Sequence, residues 1–243
     1  MAGHSHWAGI KHKKGRQDKL RSKIFSKISR EITVAAKLGS KDPGSNHRLR
    51  AAIESAKDAN MPKNNIIRAI SKSEIDKDKN FENLRYEGFG PKNVALIIET
   101  LTDNKNRTAS KIRTTLQKFG GNLGTSGSTA HFFDNCGIIQ ISSENISEEK
   151  ALDFATMVGA TDCVSHKDFH EILSKKEDFY KVKNDSKKLV KNLIYSGIEW
   201  RPKNPISLKK EETLELKNML ELLQEDDDIQ NVFHNCKFLQ TIK

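Results

Sequence analysis

From Arg16 onward an apolar residue returns every fourth position, at Leu20, Ile24, Ile28 and Ile32, with Phe25 beside the row. This spacing predicts one stripe of an amphipathic helix, which Gly39 is placed to stop. Lys19, Lys23 and Lys27 repeat with the same period one residue further round, so the helix carries a second stripe of ammonium groups. After the turn Asp42-Pro43-Gly44-Ser45, the residues Leu49, Ala52, Ile53 and Ala56 predict a second helix. Asn60-Met61-Pro62 breaks it, and Pro62 suits the first turn of a third helix carrying Ile66, Ile67 and Ile70. Residues 73–83 are polar and read as a linker.

The period then changes. Val94 to Leu101 is an apolar run of strand length, introduced by the turn Gly88-Phe89-Gly90-Pro91. Arg107 to Phe119 is helical in pattern, with Ala109, Ile112, Leu116 and Phe119 on one side and Gly120-Gly121 at its end; Ala130 to Phe133 predicts a short strand. A β-α-β set of this kind cannot close a core alone. A matching helix (Glu211 to Gln224) and strand (Ile229 to His234) come only at the far end of the chain. Between them stand a strand at Gly137 to Ile141, a helix at Ser147 to Val158, and short strands at Asp162 to Ser165, Phe169 to Leu173 and Phe179 to Val182. A helix at Lys187 to Tyr195, ended by Gly197, and an edge strand at Ile198 to Arg201 complete the set, close to the β-α-β-β-α-β order of a ferredoxin-like unit. The expected fold class is α+β in three domains. Residues 1–76 form a basic N-terminal arm and three-helix domain, residues 84–133 plus 207–243 a discontinuous central α+β domain, and residues 134–206 an inserted ferredoxin-like domain.

Charge sharpens this division. The chain of 243 residues carries a formal net charge of +10. Residues 1–80 hold 19 Lys and Arg against 8 Asp and Glu, so the first third accounts for the whole excess. A balance this basic points to a polyanion, nucleic acid first. No apolar run reaches the roughly 18 residues of a membrane span, and Met1 to Lys14 lacks the apolar stretch of a secretory signal. Cys136, Cys163 and Cys236 are widely spaced and form no CxxC pair, which fits a reducing cytoplasm.

The row of lysines suits a phosphate backbone by charge, without reading bases. The candidate nucleic-acid contacts are therefore Lys11, His12, Lys13, Lys14, Arg16, Lys19, Lys23 and Lys27. Arg107 joins them at the start of the central helix, where it either meets a phosphate or belongs to a plain turn and cap. Trp7 in the arm could stack on an unpaired base or plug onto the helical domain. Catalytic motifs are missing. There is no GxxxxGK[ST] and no GxGxxG, and the run Gly120 to Gly127 lacks a following Lys and reads as a tight loop. No His stands with an obvious carboxylate and nucleophile. The expectation is a non-enzyme with no cofactor, metal, membrane or small-molecule substrate; Ala2-Gly3-His4 could offer a square-planar nitrogen set for Cu(II) or Ni(II), but incidental placement is the simpler reading. Glu225-Asp226-Asp227-Asp228 reads as a solvated acidic turn, or as a device that keeps that face away from nucleic acid.

The residues at 1–14, Met-Ala-Gly-His-Ser-His-Trp-Ala-Gly-Ile-Lys-His-Lys-Lys, resemble the opening signature of the YebC family. Asp18, Lys23-Ile24-Phe25, Arg30-Glu31-Ile32, Ala59 to Lys63, Arg85 to Pro91, Leu101 to Thr108 and Gly120 to Gly124 continue the likeness in order, while His6 and Gly9 stand where Lys and Asn are common. The resemblance implies three domains and a cytoplasmic, non-enzymatic regulator of gene expression. The family includes the mitochondrial translational activator of cytochrome c oxidase. Its members are described as DNA-binding transcriptional regulators, and also as translation factors that act on the ribosome and relieve stalling at proline-rich stretches. With the signature starting at Met1, a bacterial cytosolic member is expected rather than an organellar one. The expected partner is rRNA or tRNA in the ribosome, or else duplex DNA. A row of lysines without Arg, Asn and Gln aligned for base edges favours the former. A protein-interaction scaffold is the third class.

Overall fold

The computed structural model describes residues 14–74, 80–190 and 193–238, with side chains from Arg21 onward. Three helices come first: α1 (Lys14–Leu38), α2 (His47–Asp58) and α3 (Lys63–Lys72). Asn46 joins two of them. Its Oδ1 accepts the Leu49 N–H at 3.0 Å and caps the start of α2, while its Nδ2 donates to the Ala35 and Ser40 carbonyls at the end of α1. One side chain thus satisfies orphan groups at both helix ends. Ile32, Ala35 and Ala36 of α1 pack with Leu49, Ala52, Ala56, Met61, Ile66 and Ala69. The predicted apolar stripe is buried most deeply at its C-terminal end.

The next unit is an antiparallel sheet built from β1 (Glu82–Phe89), β2 (Ala95–Thr102), β3 (Asn122–Leu123) and β9 (Ile229–His234), in the order β3-β1-β2-β9. The helices α4 (Lys105–Lys118) and α7 (Lys210–Gln224) cover one face, where Val94, Leu96 and Ile98 meet Ile112, Leu116, Leu216, Met219, Leu220 and Leu223. The far end of the chain therefore supplies the helix and strand that β2 and α4 lack. Four strands form the second sheet: β4 (Phe133–Ser142), β5 (Asp162–Ser165), β6 (Phe169–Lys175) and β7 (Tyr195–Pro202), in the antiparallel order β5-β6-β4-β7. The helices α5 (Glu148–Val158) and α6 (Phe179–Leu189) pack on one of its faces over Ile139, Ile141 and Ile172. A short parallel pair, β8 (Ile206–Ser207) with β10 (Cys236–Lys237), completes the set. The chain is a mixture of helix and sheet, as the α+β expectation requires.

Four local expectations are corrected. Residues 82–83, expected in a linker, open β1, and Gly88-Phe89, expected in a turn, close it. Only two positions of β1, Glu87 and Gly88, are fully buried, so no apolar alternation marks it. Ala130–Phe132 forms a 3₁₀ turn, with Phe133 opening β4, rather than a strand. Phe179 to Val182 is the first turn of α6; Phe179, Val182 and Ser186 line one buried helical face, a spacing that the apolar start of the segment hides. The helix expected at Lys187 to Tyr195 accordingly ends at Leu189, and Tyr195 belongs to β7.

Candidate nucleic-acid interface

The acidic turn between α7 and β9 is the junction of the molecule. Asp228 is 3% exposed. Its Oδ1 accepts from Arg30 on α1, and its Oδ2 accepts from Arg107 on α4 at 2.7 Å. The Thr108 and Thr102 hydroxyls lie 2.9 and 3.1 Å from the same Oδ2. Arg30 also donates to the Leu101 carbonyl at 3.0 Å. One carboxylate thereby ties α1, β2 and α4 together. Burial pushes the Asp228 carboxyl up, but hydrogen bonds from Arg107, Arg30 and Thr108 outweigh it and hold it down at about 2. The turn is therefore not merely solvated: its last residue, Asp228, is a buried structural anion.

The residues expected to touch nucleic acid fall into two groups. Lys11, His12 and Lys13 lie outside the described residues. Lys14, Arg16 and Lys19 lie on α1, of which only the backbone is described there. Lys23, Lys27 and Arg107 are brought together around the protein's own acidic turn. The Lys23 Nζ stands 3.7 Å from Glu225, and Lys27 donates to the Gln230 carbonyl at 3.1 Å. Asn104 caps α4 by accepting the Arg107 N–H at 3.0 Å, while the Arg107 guanidinium bonds Asp228 and Asp103. The cap and the charge contact at Arg107 are thus both real, but the anion it meets is internal. These hydrogen bonds, to Asp228 first and Asp103 second, raise its pKa further.

Burial, reinforced by the nearby Lys23 and opposed by Asp227 and Asp226, pulls the Lys27 ammonium down to about 8. The unfolded chain binds this proton up to about 10.5, so between the two values the folded state is the one that has released it. Stability must then rise with pH in that window, by about 2–3 kcal/mol from this group. Urea unfolding of the parent and of Lys27→Met across pH 7.5–10.5 reads the difference. It should shift toward the parent as pH rises; a flat difference would mean that Lys27 titrates at its ordinary value.

The structure adds a cationic surface that the apolar periodicity does not reveal. Helix α4 carries Lys105, Arg107, Lys111, Arg113 and Lys118 and no carboxylate; α3 carries Lys63, Arg68 and Lys72 and again no carboxylate. Thr108, Ile112 and Leu116 turn one side of α4 into the sheet core. Lys105, Arg113 and Lys118 are left exposed, together with Ser110, Thr114 and Gln117. Lys111 reaches back to Asp226 at 3.0 Å, across a groove of about 550 Å³ lined by Arg107, Ser110, Thr114, Thr115, Leu222 and Glu225. The signal was present in the composition of the window at 105–118, but a search for amphipathic stripes reads only its apolar side.

Burial raises the thiols of Cys136 and Cys236 to about 11 and that of Cys163 above its ordinary value, so each is a protonated thiol at neutral pH rather than a nucleophilic thiolate. Among the described residues no group of three or more His, Cys, Asp or Glu side chains is placed to hold a metal, and no helix is long and apolar enough to cross a membrane.

Comparison with known proteins bears on the whole chain. Residues 5–75 match the family model of the TACO1/YebC protein N-terminal domain, and residues 81–236 match that of the TACO1/YebC second and third domain. A probable transcriptional regulatory protein of Pelagibacter ubique is 52% identical over 98% of this chain and 99% of its own length. One from Zymomonas mobilis is 48% identical over 97% of this chain and 94% of its own. The crystal structure of a conserved hypothetical protein from Aquifex aeolicus superposes with a TM-score of 0.83 at 41% identity, covering 98% of this chain and 99% of that one.

Proposed function

We propose that this chain, which belongs to the TACO1/YebC family, is a non-catalytic, nucleic-acid-binding regulator of gene expression in the cytoplasm. It acts on structured RNA, as a translation factor that relieves ribosome stalling at proline-rich stretches. The observation that carries this reading is the outer side of α4, where Lys105, Arg113 and Lys118 are exposed on a helix with no carboxylate. The helix lies flat on β1 and against α7, offering one cationic face to a phosphate surface rather than a projecting helix to a groove. Lys23, Lys27 and Arg107 hold that surface in place through the acidic turn, and Lys11, His12, Lys13, Lys14, Arg16 and Lys19 are proposed as further contacts on their charge alone. In this reading the chain has three domains, the third ferredoxin-like and inserted in the second. The names of the relatives, probable transcriptional regulatory proteins, favour a second reading, a regulator of transcription on duplex DNA.

Sucrose-gradient fractionation of a lysate at low and high salt, with and without nuclease, separates the two. Salt-sensitive co-migration with ribosomes or a subunit is the expected result. Absence from every ribosomal fraction, with retention on duplex DNA at physiological salt, would replace the translation reading with the transcriptional one.

A further inference from the structure

We propose a second nucleic-acid contact, a seat for an unpaired base, on the rim formed by residues Thr125 to Phe132. The proposal rests on the reading above that the protein binds RNA. Three observations carry it.

The first is a buried anion spent on holding the rim. Glu87 of β1 is 2% exposed. Its carboxylate accepts the backbone N–H groups of Gly127, Thr129 and Ala130 at 3.0, 2.8 and 2.8 Å. Burial alone would push this carboxyl up, but those three donors and the nearby Arg85 hold it below its ordinary value. The rim is therefore preorganised, with Thr125, Ser126 and Gly127 exposed on it.

The second is aromatic. Of the eleven phenylalanines in the chain, Phe132 alone is exposed, at 37%. It stands beside the exposed ring of His131, the two centroids 4.0 Å apart and tilted by 39°. The 3₁₀ turn at Ala130–Phe132, anchored by Glu87, places both rings outward.

The third is charge. Lys203 donates its backbone N–H to the Phe132 carbonyl at 2.9 Å, and its half-exposed ammonium stands 3.4 Å from Asp134. Two exposed rings, with the half-exposed Lys203 on the segment bonded to Phe132, suit a base stacked on the rings with its phosphate toward that lysine. A base inside a duplex offers no free face for such stacking, so the ligand is single-stranded or bulged RNA.

Binding of a short fluorescent single-stranded RNA and of a blunt RNA duplex, each across a salt series, tests this. His131→Ala/Phe132→Ala should lose about tenfold on the single strand, with its salt slope and its duplex affinity unchanged. Phe132→Tyr should retain the parent's affinity, since the stacking face survives. Both positions are exposed, so thermal unfolding should match the parent. The proposal is overturned if the double variant binds the single strand like the parent, if it loses duplex affinity equally, or if the parent does not bind the single strand. Lys105→Gln/Arg113→Gln/Lys118→Gln, run alongside, reports on the α4 surface separately: unchanged binding and slope for that variant, with a loss in the ring variant, would overturn the α4 assignment and leave the rim supported.

Discussion

Asp228→Asn is expected to lose about 1 M in urea midpoint, or about 2–3 kcal/mol of stability. The change is nearly isosteric, so it leaves no cavity; it removes the anion that Arg30 and Arg107 share. Those guanidiniums are 26% and 42% exposed, so water can take over part of their solvation, which places the loss below that of a fully buried pair. Acid supplies an internal control. The folded-state carboxyl sits at about 2 against an ordinary 3.8, so its contribution is complete above about pH 4 and disappears as pH falls toward 2. Parent and variant should therefore converge in acid. Equal midpoints at pH 7 would show that the junction is held by apolar packing and that Asp228 is incidental.

Lys105→Gln/Arg113→Gln/Lys118→Gln is expected to weaken nucleic-acid binding roughly tenfold to a hundredfold at 0.15 M salt and to flatten the salt slope by about 2–3. All three side chains are exposed, so the melting curve should stay in place. The contrast with Lys23→Gln/Lys27→Gln is the informative one. Those two lysines face Glu225 and the Gln230 carbonyl, so their loss should alter stability and leave the salt slope nearly unchanged. If instead the Lys23/Lys27 variant loses affinity and slope while the α4 variant does not, the binding surface is the lysine stripe of α1 and the acidic turn is displaced by nucleic acid.

Periodicity located most of the elements for a physical reason. Where one face of a helix packs on the core, burial imposes a single repeat, as in α1, α2 and α7, while β2, buried on both faces, shows as one continuous apolar run. It failed where a buried position is filled by a polar residue with a specific partner. The face of β1 away from α4 holds Arg85 and Glu87, bound to the ring of Trp200 and to the 125–130 loop, so polar residues stand at positions that the pattern expects to be apolar. Phe179 to Val182 failed differently: four residues are too few to tell a 2-residue from a 3.6-residue repeat, and the buried Ser186 that completes the helical face is polar.

The candidate site divides along the same line. Charge is a property of composition, and the sequence alone determined that the excess lies in residues 1–80, that it belongs to helices and an arm, and that catalytic motifs are missing. What a given cation faces is a property of the fold. Lys23 and Lys27 read as an open row because their partners, Glu225 and Gln230, lie about 200 residues away in sequence. Only the return of α7 and β9 beside β2 brought that acidic turn under α1, turning two predicted contacts into struts and Asp228 into an anchor. The same closure left the far side of α4 as the surface with uncommitted charge. Coulombic attraction decides within a few ångströms, and tertiary structure alone sets which charges come that close.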